Sequence, residues 1–430
     1  MKRKVIDELI SWKTIDKRKP ILLTGAKGVG KTYLAYDFAK AFFERILYIN
    51  FEREHGVSEF FESKDPAIIN QILNKHFHLN EEATCENKIL ILDEVSFSSS
   101  VLSSLKPLQQ TGYYPYILII TSNPLPSEYK NEFNHIPVHP MDFDEFLKAT
   151  ANEWYIEAII THYEANKKIP DIVHKELLAL HELYMQIGGM PGIINEYLNL
   201  SSTVNIAEQH SFLMNSYHDY IIKSSLEGDA LKMNQVLDSL SYQLRKENKK
   251  FQYKLIRKGT THAMYKDAIQ SLIDRNYVIP CLKLSNEQIM QPITYLQTKE
   301  INKIEYNNNF KLYMSDIGLL YTEIAKEEFR PFNKISQKSL LENYVAQALM
   351  AKGYQLMFWE SDSMAKVDFI IIKNNEIVPI EIHRGNNTRS KSISVLKQKC
   401  EFPYAIKISE KNFEYSNSIK YVPHYAVFCI

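Results

Sequence analysis

The chain has 430 residues, with 51 Lys or Arg against 51 Asp or Glu, so its formal net charge is zero. This balance excludes a chain-wide field that attracts nucleic acid and leaves that role to local patches. Hydrophobic residues make up 45% and charged residues 24%, which is typical of globular proteins, and the length favours several domains over one core.

Apolar runs are too short to cross a membrane. One of the longest covers only residues 117–120, whereas a membrane-spanning helix needs roughly 20 apolar residues. The basic residues 2–4 are not followed by the apolar stretch of a secretory signal. We therefore expect no membrane partner and a cytoplasmic location.

Strand and helix patterns alternate in the first third of the chain. The predicted elements are a strand over 21–24, a helix over 31–43, and strands over 46–51, 89–92 and 116–121. Apolar strands separated by helices are typical of a parallel sheet covered by helices. The predicted fold class is therefore α/β and multidomain, with a parallel sheet in residues 1–140.

The pattern changes after residue 140 and divides the rest of the chain into three segments. Residues 141–200 have helical apolar spacing and are predicted to form a helical lid. Residues 201–330 are mostly helical and end in a helix with two strand-like runs, a pattern typical of a winged helix. Residues 331–430 contain a helix followed by several strands, which predicts a further α/β domain.

A phosphate-binding motif lies between the first predicted strand and the helix after it. Its residues are Gly25, Ala26, Lys27, Gly28, Val29, Gly30, Lys31 and Thr32. They fit G-x-x-x-x-G-K-[ST] in the strand–loop–helix context that a P-loop requires. Backbone amides of such a loop surround the phosphates, Lys31 contacts the β- and γ-phosphates, and the Thr32 hydroxyl binds Mg²⁺. The sequence therefore predicts a P-loop NTPase sheet with ATP and Mg²⁺ as cofactors.

Two acids directly follow the apolar strand over 89–92. Asp93 and Glu94 are therefore predicted at the carboxyl end of a strand in the same sheet as the P-loop. Asp93 would hold Mg²⁺ through water, and Glu94 would orient or deprotonate the attacking water. Glu94 and Lys31 together favour hydrolysis of ATP over binding alone.

A polar cluster ends the strand over 116–121. Asn123 is the candidate for a residue that contacts the γ-phosphate or the attacking water, with Thr121 and Ser122 behind it. The alternative is an Asx turn, because Asn123 precedes Pro124 and Asn-Pro is a common turn pair. The sequence leaves both interpretations open.

Several segments occur in the same order as in a known family. They are residues 25–32, 89–94, 140–147, 188–191, 311–320, 341–344, 366–370 and 378–383. On these segments the chain resembles prokaryotic AAA+-type ATPases with a C-terminal domain of unknown function that is similar to restriction endonucleases. The resemblance implies an ATPase core, a helical lid, a winged-helix-like segment and a nuclease-like domain. It also implies a homo-oligomer, but no arginine lies between 124 and 140 that could be assigned as an arginine finger.

The nuclease-like domain contains a second candidate site. Nucleases that it resembles carry an Asp on one strand and Glu-x-Lys on the next, with carboxylates on Mg²⁺. Asp368 and Glu381 take the acidic positions, and Glu342 on the preceding helix matches an acid that completes such sites. His383, two residues after Glu381 and therefore on the same face of its strand, stands in place of the lysine.

His383 weakens the prediction of cleavage, because an imidazole is a poorer cation at neutral pH than an ammonium. Arg384, Lys391 or Lys397 could supply a charge from nearby. Three interpretations stay open: an active nuclease, a degenerate domain that only binds or scaffolds, and surface acids without a site.

A basic stretch over 241–283 has ten Lys or Arg and three acids, a local net charge of 10 − 3 = +7. It surrounds the helix of the predicted winged helix and so predicts contacts with double-stranded DNA. The alternatives are a solvated surface or a face that binds a protein partner.

The leading functional prediction is an ATP-binding and ATP-hydrolysing switch or motor that acts on a nucleic acid or protein partner. One alternative is an ATP-regulated, Mg²⁺-dependent nuclease that cuts with its C-terminal domain. The other is a non-catalytic, ATP-gated protein scaffold.

Overall fold

In the computed structural model the described residues are 2–16, 18–54, 56–63, 65–79, 87–129, 131–200, 205–291, 309–361 and 365–430. They form two compact units. The N-terminal unit is Met1–His139 with Asp274–Asn276, and the C-terminal unit is Pro140–Ile273 with Tyr277–Ile430. Across the described residues, no helix is both long and apolar enough to span a membrane.

The N-terminal unit alternates helices and strands. Its helices are α1 (Val5–Lys13), α2 (Lys31–Phe42), α3 (Pro66–His76) and α4 (Ser99–Gln110). Its strands are β1 (Ile21–Thr24), β2 (Arg45–Asn50), β3 (Lys88–Asp93), β4 (Ile117–Thr121) and β5 (Asn134–Pro137). The predicted elements are all present, whereas α1, α3, α4 and β5 are additional to them.

The five strands form one parallel sheet in the order β2-β3-β4-β1-β5, which confirms the predicted α/β class and parallel sheet. β3 and β4 are buried along their whole length. Leu90 and Leu92 of β3 and Ile119 of β4 belong to one apolar cluster with Val101 and Leu105 of α4. Burial of this apolar surface stabilises the sheet.

The carboxyl ends of β1, β4 and β3 are neighbours, because β4 lies between the other two strands. Thr24 at the end of β1 is opposite Thr121, and Asp93 at the end of β3 is opposite Ile120. The loop after β1, the acids after β3 and the polar residues after β4 therefore meet at one edge of the sheet.

The C-terminal unit contains most of the helices of the described chain. They are α5 (Phe143–Ala149), α6 (Trp154–Ala165), α7 (Asp171–Ile187), α8 (Pro191–Leu200), α9 (Ile206–Lys223), α10 (Glu227–Leu244), α11 (His262–Asp274), α12 (Asn286–Ile289), α13 (Ile317–Ala325), α14 (Lys334–Ala351) and α15 (Ser392–Lys397). Its strands are β6 (Val278–Leu284), β7 (Phe310–Met314), β8 (Met357–Glu360), β9 (Lys366–Lys373), β10 (Glu376–Ile382), β11 (Ala405–Ser409), β12 (Glu414–Ser416) and β13 (Ile419–Pro423).

These strands form one eight-stranded mixed sheet in the order β12-β13-β11-β10-β9-β8-β6-β7. β6 pairs with β7 in antiparallel and with β8 in parallel orientation. β6 and β7 are the two strands that the sequence predicts within a winged-helix-like segment over 201–330. The two strands belong to the same sheet as the strands after 331, a pairing that no local sequence pattern indicates because β6 and β8 are far apart in the chain.

The predicted lid helices pack within the C-terminal unit. The Tyr184 hydroxyl donates to the carbonyl oxygen of Met141 at 2.7 Å and accepts a hydrogen bond from Nε2 of Gln347 on α14 at 3.0 Å. The side-chain amide of Asn412 bonds both backbone groups of Ile169, at 2.8 and 3.1 Å. Buried hydrogen bonds therefore join these helices to the C-terminal sheet and its covering helix.

α7 and α13 approach each other through glycine backbone. Asp316, the buried N-cap of α13, accepts hydrogen bonds from the amides of Gly189 at 2.6 Å and Leu319 at 3.1 Å. A Cβ on Gly318 would lie 2.7 Å from Cα of Gly188, which real Cβ atoms do not tolerate. Only glycine fits at 318.

We expect Gly318→Ala to destabilise the C-terminal unit by about 1–3 kcal/mol, because backbone atoms rather than a flexible side chain would have to move. Gly228→Ala is the matched control. Gly228 is also the second residue of its helix, but no atom lies within 4 Å of the added Cβ. The control should be neutral or slightly stabilising. Urea unfolding followed by circular dichroism measures both, and equal midpoints would contradict the steric argument.

Buried neutral histidines join α7 to the C-terminal 3₁₀ segment His424–Cys429. Nε2 of His424 donates to the carbonyl oxygen of His383 at 3.2 Å. Burial lowers the pKa of His424 to about 4. Burial also lowers the pKa of His181 on α7, whose ring centroid lies 5.9 Å from that of His424. Both rings are therefore uncharged in the folded protein at neutral pH.

We expect the C-terminal unit to lose stability as the pH falls from about 6.5 toward 4. In this window the unfolded chain binds more protons than the folded chain, because the folded pKa of His424 is the lower one, so acid favours unfolding. One such group contributes on the order of 3 kcal/mol above the window. His424→Gln keeps a donor and removes the titration, so its melting temperature should fall less between pH 7 and pH 5. The exposed His76→Gln is the control, and identical pH profiles for His424→Gln and wild type would contradict this role.

Candidate functional site

Left-handed glycines shape the loop after β1. Gly25 has φ +145°, and a Cβ at this position would lie 2.2 Å from the carbonyl oxygen of Val138. Gly30 has φ 93° and is the N-cap of α2. Residues with a side chain rarely adopt these angles, so glycine is required at both turns. The loop therefore leads directly into a helix N-terminus, where backbone amides and the helix dipole favour phosphate.

The other loop residues contribute mainly backbone. Ala26 and Val29 are buried, and Gly28 has φ +87°. Nζ of Lys27 forms an ion pair with Glu52 at 3.1 Å. The predicted phosphate contacts at these positions thus depend on main-chain amides rather than on side chains.

Lys31, the first residue of α2, has its ammonium inside the loop. Nζ donates to the carbonyl oxygens of Gly25 at 2.8 Å and Ala26 at 3.0 Å and to Oγ of Ser122 at 2.9 Å. Burial lowers the pKa of Lys31, whereas the two carboxylates after β3 act in the opposite direction. All three acceptors are neutral, so a phosphate oxygen would be a stronger partner for this ammonium.

The two carboxylate oxygens of Asp93 have different surroundings. Oδ2 accepts hydrogen bonds from Oγ1 of Thr32 at 2.8 Å and from the hydroxyl of Tyr48 at 2.8 Å. Oδ1 is buried and accepts no hydrogen bond from any described residue. Burial raises the pKa of Asp93, and the neighbouring charge of Glu94 raises it further. A cation next to Oδ1 would relieve this unfavourable buried charge.

Thr32 and Asp93 fit Mg²⁺. Both offer oxygen donors, which this cation prefers, and Oδ1 of Asp93 is the kind of unpartnered buried atom that a metal or its water would satisfy. Mg²⁺ that accompanies a nucleotide is usually bound through one or two carboxylates together with phosphates. Two protein donors, Thr32 and Asp93, are therefore enough for a Mg²⁺ that a nucleotide also binds.

Glu94 is held by Ser122. Its backbone has φ 53°, an uncommon angle for a residue with a side chain, and only 6% of the residue is exposed. Oε2 accepts from the Ser122 amide at 3.1 Å, and Oε1 accepts from the Ser122 hydroxyl at 2.5 Å. The same hydroxyl accepts from Lys31, so Ser122 connects the loop lysine to the glutamate.

Asn123, the predicted sensor, is hydrogen-bonded to a residue after β3 and to the last residue of β4. Its Nδ2 donates to Oγ of Ser96 at 3.0 Å. Its backbone amide and carbonyl oxygen both bond the hydroxyl of Thr121, at 3.1 and 2.9 Å. Ser122, which the sequence predicts behind Asn123, bonds both Lys31 and Glu94. No local pattern distinguishes these consecutive residues, because the contact depends on how the chain turns after β4.

The second candidate site brings its predicted residues close together. Glu342 lies on α14, Asp368 on β9 and Glu381 at the end of β10, with His383 just after it. All three carboxylates are paired with lysines. The ion pairs are Lys249, Lys311 and Lys338 with Glu342, at 2.5, 3.7 and 3.7 Å, Lys338 with Asp368 at 3.2 Å, and Lys407 with Glu381 at 3.2 Å.

The lysines compensate the charge of Glu342. Burial opposes ionisation of this side chain, but Lys249, Lys311 and Lys338 outweigh it and hold the pKa of Glu342 well below its usual range. Glu342 also accepts from the Tyr313 hydroxyl at 3.2 Å. Both of its oxygens are therefore occupied by groups of the protein.

Glu381 is occupied in the same way. It accepts from Oγ of Ser390 at 2.7 Å and lies 3.3 Å from Nε2 of His383. These groups and Lys407 outweigh burial and lower the pKa of Glu381. The sequence offers Arg384, Lys391 or Lys397 as the nearby cation, whereas the cation paired with Glu381 is Lys407. Parallel pairing of β10 with β11 places Lys407 opposite Glu381.

These four residues do not fit a metal ion. Their oxygens already bind ammonium groups, and the described part of the chain holds no group of three or more His, Cys, Asp or Glu that could hold a metal. The only sequence signal for this arrangement was the spacing of Lys338 and Glu342, four residues apart on one helix. Lysines from β7, from β11 and from the segment after α10 came together only through folding.

The basic stretch over 241–283 is partly neutralised within the protein. Arg245 pairs with Glu327, and Lys249 is buried against Glu342. Lys250 and Lys283 share Glu360, at 2.7 and 3.8 Å. The exposed cations that remain are Lys254, Arg257, Lys258 and Lys266. The local charge of the sequence therefore overstates the charge available to DNA.

Family models match three parts of the chain. A model described as an AAA domain matches residues 17–147. Two models described as domains of unknown function, DUF8612 and DUF4143, match residues 179–329 and 337–427.

Solved structures similar to the chain include a Walker-type ATPase of Pyrococcus abyssi, at 16% identity over 75% of this chain and 95% of that chain, with a TM-score of 0.41. Another is a signal transduction ATPase with numerous domains (STAND) with a tetratricopeptide repeat sensor from Pyrococcus horikoshii. It is 15% identical over 82% of this chain and 45% of that chain, with a TM-score of 0.29. None of the curated proteins compared with the chain matches it.

The AAA match covers the loop after β1, the acids after β3 and the polar end of β4. Sequence motif, strand order and side-chain geometry agree with it. Residues 17–147 therefore have the motifs and the parallel-sheet fold of a P-loop ATPase domain.

Proposed function

We propose that the chain binds ATP with Mg²⁺ and hydrolyses it, as a molecular switch or motor. The observation that carries this proposal is the convergence of Lys31, Asp93 and Glu94 at one edge of a parallel sheet. Lys31 and Glu94 both bond Ser122, and Asp93 bonds Thr32.

The residues of the site have separate roles in this proposal. The loop amides and Lys31 bind the β- and γ-phosphates, and Lys31 exchanges its neutral acceptors for phosphate oxygens. Thr32 and Asp93 would hold Mg²⁺, which neutralises phosphate charge. Glu94 orients the attacking water and accepts its proton once Ser122 no longer occupies both carboxylate oxygens.

Glu94 favours hydrolysis over an ATP-gated scaffold. A protein that only senses ATP needs the loop and its lysine but no carboxylate beside them. Glu94 is buried with a left-handed backbone, an arrangement that costs of order 1–3 kcal/mol and tends to persist where function requires it. The scaffold remains the alternative if ATP binds without turnover.

The C-terminal unit is the proposed effector of the switch. Its helices between 141 and 200 share buried hydrogen bonds with its sheet, such as those between Asn412 and Ile169, so a force on these helices would reach the sheet. A protein partner is the better supported target. Several cations proposed to contact double-stranded DNA are engaged by carboxylates of the chain itself.

A nuclease role is disfavoured for the same electrostatic reason. The lysines around Glu342, Asp368 and Glu381 supply the positive charge that a catalytic metal would bring. Metal entry at Glu342 or Glu381 would require displacement of the buried ammonium groups of Lys249, Lys311 or Lys407, which costs several kcal/mol when a charge loses its partner.

We expect Glu94→Gln to retain ATP binding and to lower turnover by roughly 100-fold or more, because the variant cannot accept a proton.

Lys31→Ala should weaken ATP binding by about 10-fold or more through loss of charged hydrogen bonds to phosphate. Lys40→Ala is the matched control, since Lys40 is exposed on the same helix. Phosphate release and titration with a fluorescent ATP analogue measure the two effects. Wild-type turnover in Glu94→Gln would contradict its catalytic role.

Purified full-length protein is expected to leave linear and supercoiled double-stranded DNA intact with Mg²⁺ or Mn²⁺, with and without ATP. Gel electrophoresis checks this, with a metal-dependent nuclease as positive control. Asp368→Ala separates contamination from true cleavage. Cutting by the wild type that Asp368→Ala abolishes would establish the nuclease alternative.

A further inference from the structure

A chain of hydrogen bonds runs from β2 to the carboxylate of Asp93. Nδ2 of Asn50 donates to the Tyr48 hydroxyl at 3.1 Å, and that hydroxyl donates to Oδ2 of Asp93 at 2.8 Å. Tyr48 and Asn50 are two residues apart on β2 and therefore lie on one side of the sheet. β2 is the parallel neighbour of β3, with Asn50 opposite Asp93.

Local contacts fix which atom donates and which accepts in these hydrogen bonds. Oδ1 of Asn50 accepts hydrogen bonds from the amides of Glu52 and Arg53, both at 3.0 Å, so its amino group must face the tyrosine. The phenol oxygen then accepts from Asn50, and its only proton is left for Asp93. The ring itself is supported by Tyr36 of α2, with centroids 4.9 Å apart.

The two carboxylate oxygens of Asp93 differ in the number of hydrogen bonds that they accept. Oδ2 accepts hydrogen bonds from Tyr48 and Thr32 and a longer one, at 3.4 Å, from Nδ2 of Asn50. The buried Oδ1 accepts no hydrogen bond from the described residues. A carboxylate that could rotate would distribute its donors over both oxygens. Three donors on the same oxygen, of which Tyr48 and Thr32 are the closer two, fix the plane of the carboxylate and keep Oδ1 available.

We propose that Tyr48 is a positioning residue for the metal that accompanies the nucleotide: by fixing Oδ2 of Asp93, it leaves Oδ1 to bind Mg²⁺ or a water on it. This inference rests on the proposed ATP site and adds a residue outside the loop and the acidic pair. Hydrogen bonds to a metal ligand orient it, and their loss typically weakens metal binding or activity by 10–100-fold.

The test uses full-length wild type, Tyr48→Phe and Tyr36→Phe. Tyr48→Phe removes the hydroxyl and keeps the ring, and Tyr36→Phe removes a hydroxyl from the adjacent ring that has no described hydrogen bond to Asp93. Each protein is titrated with a fluorescent ATP analogue at fixed Mg²⁺ concentrations and in EDTA. Thermal melting without nucleotide shows that all three are folded.

We expect Tyr48→Phe to need about 10-fold more Mg²⁺ for half-maximal enhancement of nucleotide binding. Binding in EDTA should match wild type, since a metal-positioning role has no effect without metal, whereas a general structural defect would weaken both. Tyr36→Phe should behave as wild type in both measurements.

Two results would overturn the inference, and they are distinguishable. If wild type shows Mg²⁺-dependent nucleotide binding and Tyr48→Phe has the same Mg²⁺ requirement, the positioning role of Tyr48 fails alone. If wild type binds no nucleotide at any Mg²⁺ concentration, the proposed ATP site fails and this inference fails with it.

Discussion

The insertion of β4 between β1 and β3 is the constraint on which the rest of the nucleotide site depends. Because the sheet is parallel, the carboxyl ends of these strands are adjacent. The residues at and after these ends therefore lie close together although they are far apart in the sequence. Ser122 then bonds both Lys31, 91 residues away, and Glu94, 28 residues away. The loop can therefore affect the proposed catalytic carboxylate through a single hydroxyl group.

Buried carboxylates are balanced in opposite ways in the two units. Asp93 receives neutral donors on one oxygen, and burial raises its pKa, so the site favours arrival of a cation. Glu342 receives three ammonium groups, and its pKa lies below the usual range. Acidic residues in a strand-end pattern thus indicate a metal site only where the fold does not supply its own cations. A buried carboxylate can pair with lysines of the protein, as Glu342 does, or keep an oxygen for a bound cation, as we propose for Asp93.

The C-terminal unit joins segments that look independent along the chain. Tyr184 from the predicted lid bonds Gln347 from the helix before the C-terminal strands, and β6 from the predicted winged helix pairs with β8. Buried hydrogen bonds and shared sheet edges resist separate movement of these segments. A nucleotide-dependent change that reaches any of them would therefore be expected to act on the unit as a body.

The sequence by itself determined the elements with local signals. The P-loop from Gly25 to Thr32, the acids Asp93 and Glu94, and the four strands and one helix predicted around them follow from glycine spacing, apolar runs and charge placement, which are properties of neighbouring residues. Only the tertiary structure decided that Ser122 bonds Lys31, that Tyr48 bonds Asp93, and that Lys338 and Lys407 pair with Asp368 and Glu381. These contacts depend on strand order and on parallel pairing between distant segments, and neither leaves a periodic or compositional trace in a single sequence.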